Sequence, residues 1–87
     1  MTTDDAHTLL AHLVHRIAPE VVLDEIEADA FLQEEAELDS MDFLNLMSAL
    51  YEETGIDVPE RDYPQVATAD GFVDYVTRAS QAAQEGG

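Results

Sequence analysis

The sequence contains no cysteine, so the chain can form neither a disulfide nor a thiolate zinc site, and it has no cysteine nucleophile. Lysine is absent as well, and the only basic side chains besides histidine are Arg16, Arg61 and Arg78, against 20 aspartates and glutamates. The net charge of −17 repels phosphate backbones and anionic lipid headgroups. We therefore expect no nucleic-acid partner, whereas basic patches on other proteins would complement this surface.

Long apolar runs are also missing. No stretch approaches the roughly 20 apolar residues of a membrane span, and no apolar segment follows a charged N-terminus as in a secretory signal. We therefore expect no membrane insertion and a cytoplasmic protein. The 87 residues, 46% of them hydrophobic, predict a single domain over residues 1–87 that is monomeric.

The spacing of the apolar residues predicts an all-α fold. The first helix covers residues 4–17, with Thr3 or Asp4 as its N-cap, and it ends before Pro19. The signals of strands, which are alternating β-branched runs and hairpin turns, are absent. The predicted architecture is a four-helix bundle of three main helices and one short third helix, with a long loop between helices 1 and 2.

The second helix is predicted over residues 40–53, where Gly55 provides a left-handed C-cap. Residues 59–63 predict a third helix of about one turn, because Pro64 pushes Tyr63 out of helical geometry.

The last helix is predicted from residue 69 to about residue 83, with Thr68 as its N-cap. Its inward stripe consists of Phe72, Val73, Val76 and Ala79. Residues 84–87 are predicted to form a disordered tail.

The acidic segment 20–38 has no clean period, which predicts a long ordered loop with one short helical turn. An irregular loop of this length in a small domain is usually functional. The residues expected to tie it to the core are Val22, Leu23, Ile26, Phe31 and Leu32.

The second helix is apolar around an unusually wide arc of roughly 200°. Its inward stripe comprises Phe43, Leu46, Met47 and Leu50, and the apolar surface continues over Met41, Leu44 and Tyr51. Two interpretations are open. Either both faces are buried, one of them under the long loop, or Met41 and Leu44 form an exposed contact surface inside an acidic rim of Asp42, Glu52 and Glu53.

Ser40 stands at the start of this helix and has three possible roles. It can be the N-cap, but Asp39 and Asp42 form a capping-box pattern that fills this role and leaves Ser40 at the first helical position. There its hydroxyl lies near the positive end of the helix dipole, which suits attachment of an anionic phosphodiester. A catalytic nucleophile is disfavoured, because no G-x-S-x-G elbow surrounds Ser40 and no histidine is well placed to act as its base.

Other chemical motifs are weak. All the histidines, His7, His12 and His15, fall on the first helix, and the pair His12 and His15 lacks an evident third metal ligand. The acidic run 24–29 does not match a calcium-binding loop, and no glycine loop for phosphate is present. We therefore expect no metal site.

The segment 38-LDSMDFLNLMSALYEETGIDVP-59 resembles the acyl carrier protein family, and the match continues without a gap through 68-TADGFVDYV-76. The resemblance implies an all-α carrier, not an enzyme, whose Ser40 receives 4′-phosphopantetheine from coenzyme A through a phosphopantetheinyl transferase. The thiol of that arm would hold an acyl group as a thioester.

The same resemblance implies that the second helix is the recognition helix. Asp39 would flank the attachment site, and partners would contact Asp42, Met41, Leu44, Asn45, Ser48 and Glu52. Leu46, Ala49, Leu50 and Val66 would face inward. The implied partners are acyl-transferring, condensing or modifying enzymes with basic docking patches, in fatty-acid, lipid or polyketide-type biosynthesis.

The chain departs from the family at several positions. Ala36 and Glu37 replace a frequent Leu-Gly, Asn45 replaces a frequent glutamate, and Pro64 interrupts the third helix. These departures predict a specialised carrier. Two other functions stay open: a peptidyl or aryl carrier of a non-ribosomal pathway, and an unmodified acidic adaptor that binds basic partners.

Overall fold

The computed structural model describes residues 1–85, with the side chains of residues 1–81, and confirms the predicted all-α fold. The α-helices α1 to α4 cover Thr3–Ile17, Leu32–Glu35, Ser40–Thr54 and Ala69–Glu85, and 3-10 helices cover Leu23–Glu25 and Glu60–Val66. Helix α1 packs against both α3 and α4, and the second 3-10 helix packs against α4. In the part of the chain described, no helix is long and apolar enough to cross a membrane.

Helix α1 begins one residue earlier than predicted. Its N-cap is Thr2 rather than Thr3 or Asp4, because only Thr2 has a carboxylate three residues ahead to complete a capping box. The Asp5 N–H donates to the Thr2 hydroxyl at 3.1 Å, and the Thr2 N–H donates to the Asp5 carboxylate at 3.2 Å. This second bond lowers the pKa of Asp5, and the box satisfies two N–H groups at the start of the helix.

The long loop contains two short helical segments where one turn was predicted. Its Leu23 and Leu32 are buried as expected, and Ile26 is half-buried. Val22 and Phe31 were predicted to contact the core, but they are 52% and 53% exposed. Each precedes a buried leucine, and neighbouring residues in extended backbone point in opposite directions.

Backbone hydrogen bonds hold this loop on the start of α4. The Leu32 N–H donates to the Ala67 carbonyl at 2.8 Å, and the Asp70 N–H donates to the Ala28 carbonyl at 2.9 Å. Phe31 and Thr68 form an isolated antiparallel bridge between them. The loop is therefore attached through its main chain, which a search for apolar side chains does not detect.

Helix α3 follows the prediction closely. Its inward stripe is buried as expected and comprises Phe43, Leu46, Met47 and Leu50. Gly55 has φ of 77°, and its N–H donates to the Tyr51 carbonyl at 2.8 Å, as a left-handed C-cap requires.

The predicted short third helix is a 3-10 helix that continues through Pro64 to Val66. The prediction that Pro64 ends it was wrong, because the φ that proline imposes lies within the 3-10 range. Side chains stabilise the segment: Asp62 accepts hydrogen bonds from Gln65 at 3.2 Å and from the Tyr75 hydroxyl at 2.8 Å.

Helix α4 begins after Thr68, whose hydroxyl accepts a hydrogen bond from the Gly71 N–H at 3.0 Å. The predicted stripe faces the core, except that Ala79 is only half-buried. The helix extends to Glu85, and the remaining part of the predicted tail, residues 86–87, lies outside the described residues. The largest fully buried side chains come from all the main helices, the loop and the second 3-10 helix, and they are Phe72, Leu10, Leu13, Leu32, Leu46, Leu50, Val14, Val66 and Val76.

Gly71 marks a close approach between α4 and the preceding 3-10 helix. A Cβ atom at this position would overlap the Gln65 carbonyl oxygen and lie 3.0 Å from the Thr68 hydroxyl. We predict that Gly71→Ala lowers the free energy of unfolding by about 1–3 kcal/mol, although alanine is the better helix former. Urea denaturation measures this, with Gln81→Ala on the exposed side of α4 as the control; a Gly71→Ala protein as stable as wild type would contradict the prediction.

Glu37 has φ of 55°, the left-handed conformation that side chains with a Cβ disfavour. We predict that Glu37→Gly raises the free energy of unfolding by about 0.5–1 kcal/mol, since relief of this strain outweighs the added flexibility of the unfolded chain. Glu37→Ala also removes the carboxylate but keeps the Cβ, so it should give no comparable gain. Equal denaturation midpoints for the two variants would show that backbone strain is not the cause.

Candidate functional site

Ser40 occupies the first position of α3, and its side chain is exposed. The predicted capping box is confirmed: the Asp42 N–H donates to the Asp39 carboxylate at 2.8 Å, and the Asp39 N–H donates to the Asp42 carboxylate at 3.4 Å. Within the described part of the chain, the Ser40 hydroxyl makes no hydrogen bond. Because Asp39 caps the helix, this hydroxyl is available for chemistry.

Two buried residues, one before and one after Glu37, anchor the backbone that leads to Ser40. Ala36 and Leu38 are 5% and 4% exposed, and the left-handed turn at Glu37 lets both enter the core while its own carboxylate stays in solvent. Leu38 thus holds the chain two residues before Ser40. The end of the loop and the first turn of α3 together present the serine at the surface.

The electrostatic environment of Ser40 combines two opposing contributions. The unpaired N–H groups of the first turn of α3 produce a positive potential that favours an anion. Asp39 and Asp42 carry negative charge on either side of Ser40. Each carboxylate accepts a hydrogen bond from the other residue's backbone N–H, which uses part of its hydrogen-bonding capacity. A phosphodiester on the Ser40 oxygen would lie at this helix end.

His12 is not positioned to act as a base for Ser40. His12 lies 3.0 Å from Glu53, at the other end of α3. Glu53 lies thirteen positions after Ser40, a rise of roughly 20 Å at ~1.5 Å per residue. His12 is therefore too far away to take a proton from Ser40. Among the described residues, no three His, Asp or Glu side chains are grouped so that they can hold a metal ion.

Two adjoining surface grooves follow α3 away from Ser40. The first, of about 420 Å³, lies between α3 and the second 3-10 helix and is lined by Gln33, Ser40, Phe43, Leu44, Glu60, Tyr63, Pro64 and Ala67. The second, of about 690 Å³, is lined by Leu44, Met47, Ser48, Tyr51, Glu52, Asp57, Val58 and Tyr63. Leu44 and Tyr63 line both grooves, which therefore adjoin, and we call the two together the α3 groove.

The exposure of three apolar side chains decides between the two interpretations of the apolar arc on α3. Met41, Leu44 and Tyr51 are 67%, 44% and 57% exposed. They are therefore not buried under the loop, and α3 has an apolar surface on its solvent side. The acidic side chains Glu52, Asp57 and Glu60 are exposed at its edges.

The remaining predicted contact residues divide into two groups. Asn45 and Ser48 are exposed on the same side of α3 as Met41, while Asp42 is half-buried within the capping box. Ser48 also lines the α3 groove, whereas Asn45 lies outside the grooves described above.

Glu52 is exposed, but its carboxylate is already paired within the chain. Arg16 on α1 donates to Glu52 at 2.9 Å and to Glu53 at 3.4 Å, and the hydrogen bond to Glu52 raises the pKa of the guanidinium. A partner's cation at Glu52 would therefore compete with Arg16. Exposed pairs of this kind are weak, so exchange is possible.

Tyr63 also belongs to this site, although no sequence pattern identified it. Its ring meets that of Phe43 edge to face, with centroids 5.3 Å apart and planes at 78°. Beside it, Asp62 is bound by Tyr75, and burial and this hydrogen bond raise the pKa of the Tyr75 hydroxyl. The only sequence signal was an aromatic residue before Pro64, and its partner lies 20 positions away.

Comparison with known proteins agrees with this geometry. A family model for the phosphopantetheine attachment site matches residues 9–76, which include Ser40 and the whole of α3. The chain is also 31% identical, over 58 residues, to the acyl carrier protein of Rubrobacter xylanophilus; the aligned region covers 67% of this chain and 72% of that protein. The exposed serine at a capped helix start and these two matches together show that the chain belongs to the phosphopantetheine-attachment family of carrier proteins.

Proposed function

We propose that this chain is an acyl carrier protein in which Ser40 bears the 4′-phosphopantetheine of the family. The observation that carries the proposal is that Asp39, and not Ser40, caps α3. The Ser40 hydroxyl is exposed and makes no hydrogen bond within the described residues. The carrier role follows from family membership. The position of the attachment site and the partners are our inference.

Loading requires one group transfer. The Ser40 oxygen attacks the phosphorus of coenzyme A that bears the pantetheine, a new O–P bond forms, and the bond from that phosphorus to the bridging oxygen of the pyrophosphate breaks. The nucleotide part leaves as adenosine 3′,5′-bisphosphate, and the serine proton passes to a base. Because His12 lies at the far end of α3, we assign that base to the phosphopantetheinyl transferase.

The attached arm supplies a terminal thiol, and this thiol holds acyl groups as thioesters. The chain itself has no cysteine and therefore no thiol of its own. The residues of the chain position its point of attachment. The N–H groups at the start of α3 would face a phosphodiester on Ser40, and the capping box holds the first turn of α3 in place.

The partners are proposed to be the transferase and enzymes that transfer, condense or modify acyl groups, in fatty-acid, lipid or polyketide-type biosynthesis. Their basic patches would meet the acidic rim, while Met41 and Leu44 provide apolar contact. Asn45 and Ser48 lie beside them on the exposed side of α3. A small apolar patch with a charged rim favours fast, weak docking, which suits a carrier that binds and leaves many enzymes.

We predict that the chain gains the mass of one phosphopantetheine when it is incubated with coenzyme A, Mg²⁺ and a broad-specificity phosphopantetheinyl transferase. Ser40→Ala should abolish the gain and leave the melting temperature nearly unchanged, because Ser40 is exposed and does not cap α3. Intact-mass spectrometry measures the first effect and circular dichroism the second.

Ser48→Ala is the matched control for this experiment, since Ser48 is an exposed serine on the same helix. It keeps the Ser40 hydroxyl and should therefore reach the same final mass as wild type, even if loss of a docking contact slows the loading. A wild-type chain that stays unmodified, with unimpaired binding of basic proteins, would instead support the unmodified acidic adaptor. A mass gain that survives Ser40→Ala would place the attachment elsewhere.

We further predict that Leu44→Ala lowers kcat/KM for transferase loading by about tenfold, which corresponds to about 1.4 kcal/mol of lost contact in the transition state. Leu44 is 44% exposed and lies four residues after Ser40, one turn along α3. Val22→Ala provides the control, because Val22 is similarly exposed at 52% but lies on the loop. Equal kinetics for the two variants would exclude the apolar surface of α3 from docking.

A further inference from the structure

The C-terminal end of α3 carries two neighbouring carboxylates, and α1 supplies basic side chains to both. Arg16 donates from Nη2 to Glu52 at 2.9 Å and from Nη1 to Glu53 at 3.4 Å. His12, one turn earlier on α1, places its Nε2 3.0 Å from the other oxygen of Glu53. Side chains of another helix therefore already contact both carboxylates when no partner is bound.

The position of Arg16 matters because the chain has so few cations. It contains three arginines and no lysine, against 20 acidic residues. Arg78 pairs with Asp74 at 2.7 Å, within the single helix α4. Arg16 instead connects α1 to α3, the helix that begins with Ser40. It therefore reduces the negative charge of α3 at the end opposite Ser40.

The two contacts of Arg16 differ in how easily another cation can replace them. The Glu52 side chain is 61% exposed, whereas that of Glu53 is 29% exposed and also contacts His12. A partner can therefore reach Glu52 more easily than Glu53. If another cation takes Glu52, Arg16 can stay on Glu53, which its Nη1 already contacts. Exposed ion pairs contribute little to stability, so this exchange is easy.

Glu52 also lies within reach of an enzyme that binds Ser40. It follows the exposed Ser48 by four residues, and residues four apart in a helix share a face. It lies twelve positions after Ser40, a rise of roughly 18 Å. An interface of standard size covers roughly 800 Å² on each partner, a patch about 30 Å across. One partner can therefore hold Ser40 in its active site and cover Glu52 as well.

We propose that Arg16 is an internal competitor for docking, against which the phosphopantetheinyl transferase that loads Ser40 places a lysine or arginine of its own on Glu52. The inference rests on the proposed attachment at Ser40. The occupant is cationic because it must complement a carboxylate on a surface whose net charge is −17.

Two effects of Arg16 oppose a second cation at Glu52. It occupies one carboxylate oxygen, and its own positive charge repels the incoming side chain. Arg16 thereby weakens docking at this end of α3. Differences in affinity between related complexes lie mostly in the dissociation rate, so the loaded carrier leaves the enzyme sooner than it would without Arg16.

The test measures the initial rate of loading by a broad-specificity phosphopantetheinyl transferase at low ionic strength. Coenzyme A is saturating and the carrier is kept well below its KM, so that the rate reports kcat/KM. Arg16→Gln removes the charge and keeps a polar side chain. We expect it to raise kcat/KM about threefold, which is in the range of an exposed ion pair.

Arg78→Gln is the matched control, since it removes the same charge from an exposed pair on α4. It should leave kcat/KM close to the wild-type value. Both arginines are exposed, at 48% for Arg16 and 65% for Arg78, so both variants should fold, which circular dichroism checks.

Glu52→Gln completes a double-mutant cycle with Arg16→Gln. In the wild-type background it should change kcat/KM little, because Arg16 already neutralises Glu52. In the Arg16→Gln background it should remove the gain, because the carboxylate that became free is then absent.

An Arg16→Gln protein that is loaded no faster than wild type would overturn the proposal. An equal gain in Arg78→Gln would also overturn it, since net charge rather than the position of Arg16 would then govern docking. A gain that survives Glu52→Gln in the double variant would exclude Glu52 as the contested carboxylate. Failure of the proposed attachment has a different signature, a wild-type chain with no mass gain, and would remove the basis of this inference as well.

Discussion

The hydrogen bond from the Asp42 N–H to the Asp39 carboxylate is the interaction on which the site depends. A helix start has four unpaired N–H groups, and serine is one of the side chains that most often satisfy them. Here Asp39 takes this role and Asp42 completes the box. Ser40 therefore sits one residue inside the helix, with an exposed hydroxyl and the positive end of the helix dipole beneath it.

Helix α3 serves two purposes with one sequence. Its inward stripe holds it on α1 and the core, so that the helix is fixed relative to the rest of the bundle. Its outer side keeps Met41, Leu44 and Tyr51 in contact with water, which costs the protein free energy unless a partner covers them. The net charge of −17 gives the surface a negative potential, which is complementary to basic surfaces on other proteins.

The predictions from sequence failed where one residue decided between two local structures. Thr2 rather than Thr3 caps α1, because the position of Asp5 selects the box. The 3-10 helix continues through Pro64, since proline is compatible with that geometry. Val22 and Phe31 point outward. The sequence could not show this, because an irregular loop has no period from which the direction of a side chain can be inferred.

The sequence by itself determined the all-α fold, the faces of the main helices and the cap that leaves Ser40 free, since all of these depend on residues within about four positions of one another. Only the tertiary structure decided that the loop is tied to α4 by its backbone, that Arg16 pairs with Glu52, and that Tyr63 meets Phe43. These contacts join residues far apart in the chain, and their geometry follows from how the helices pack rather than from any local pattern.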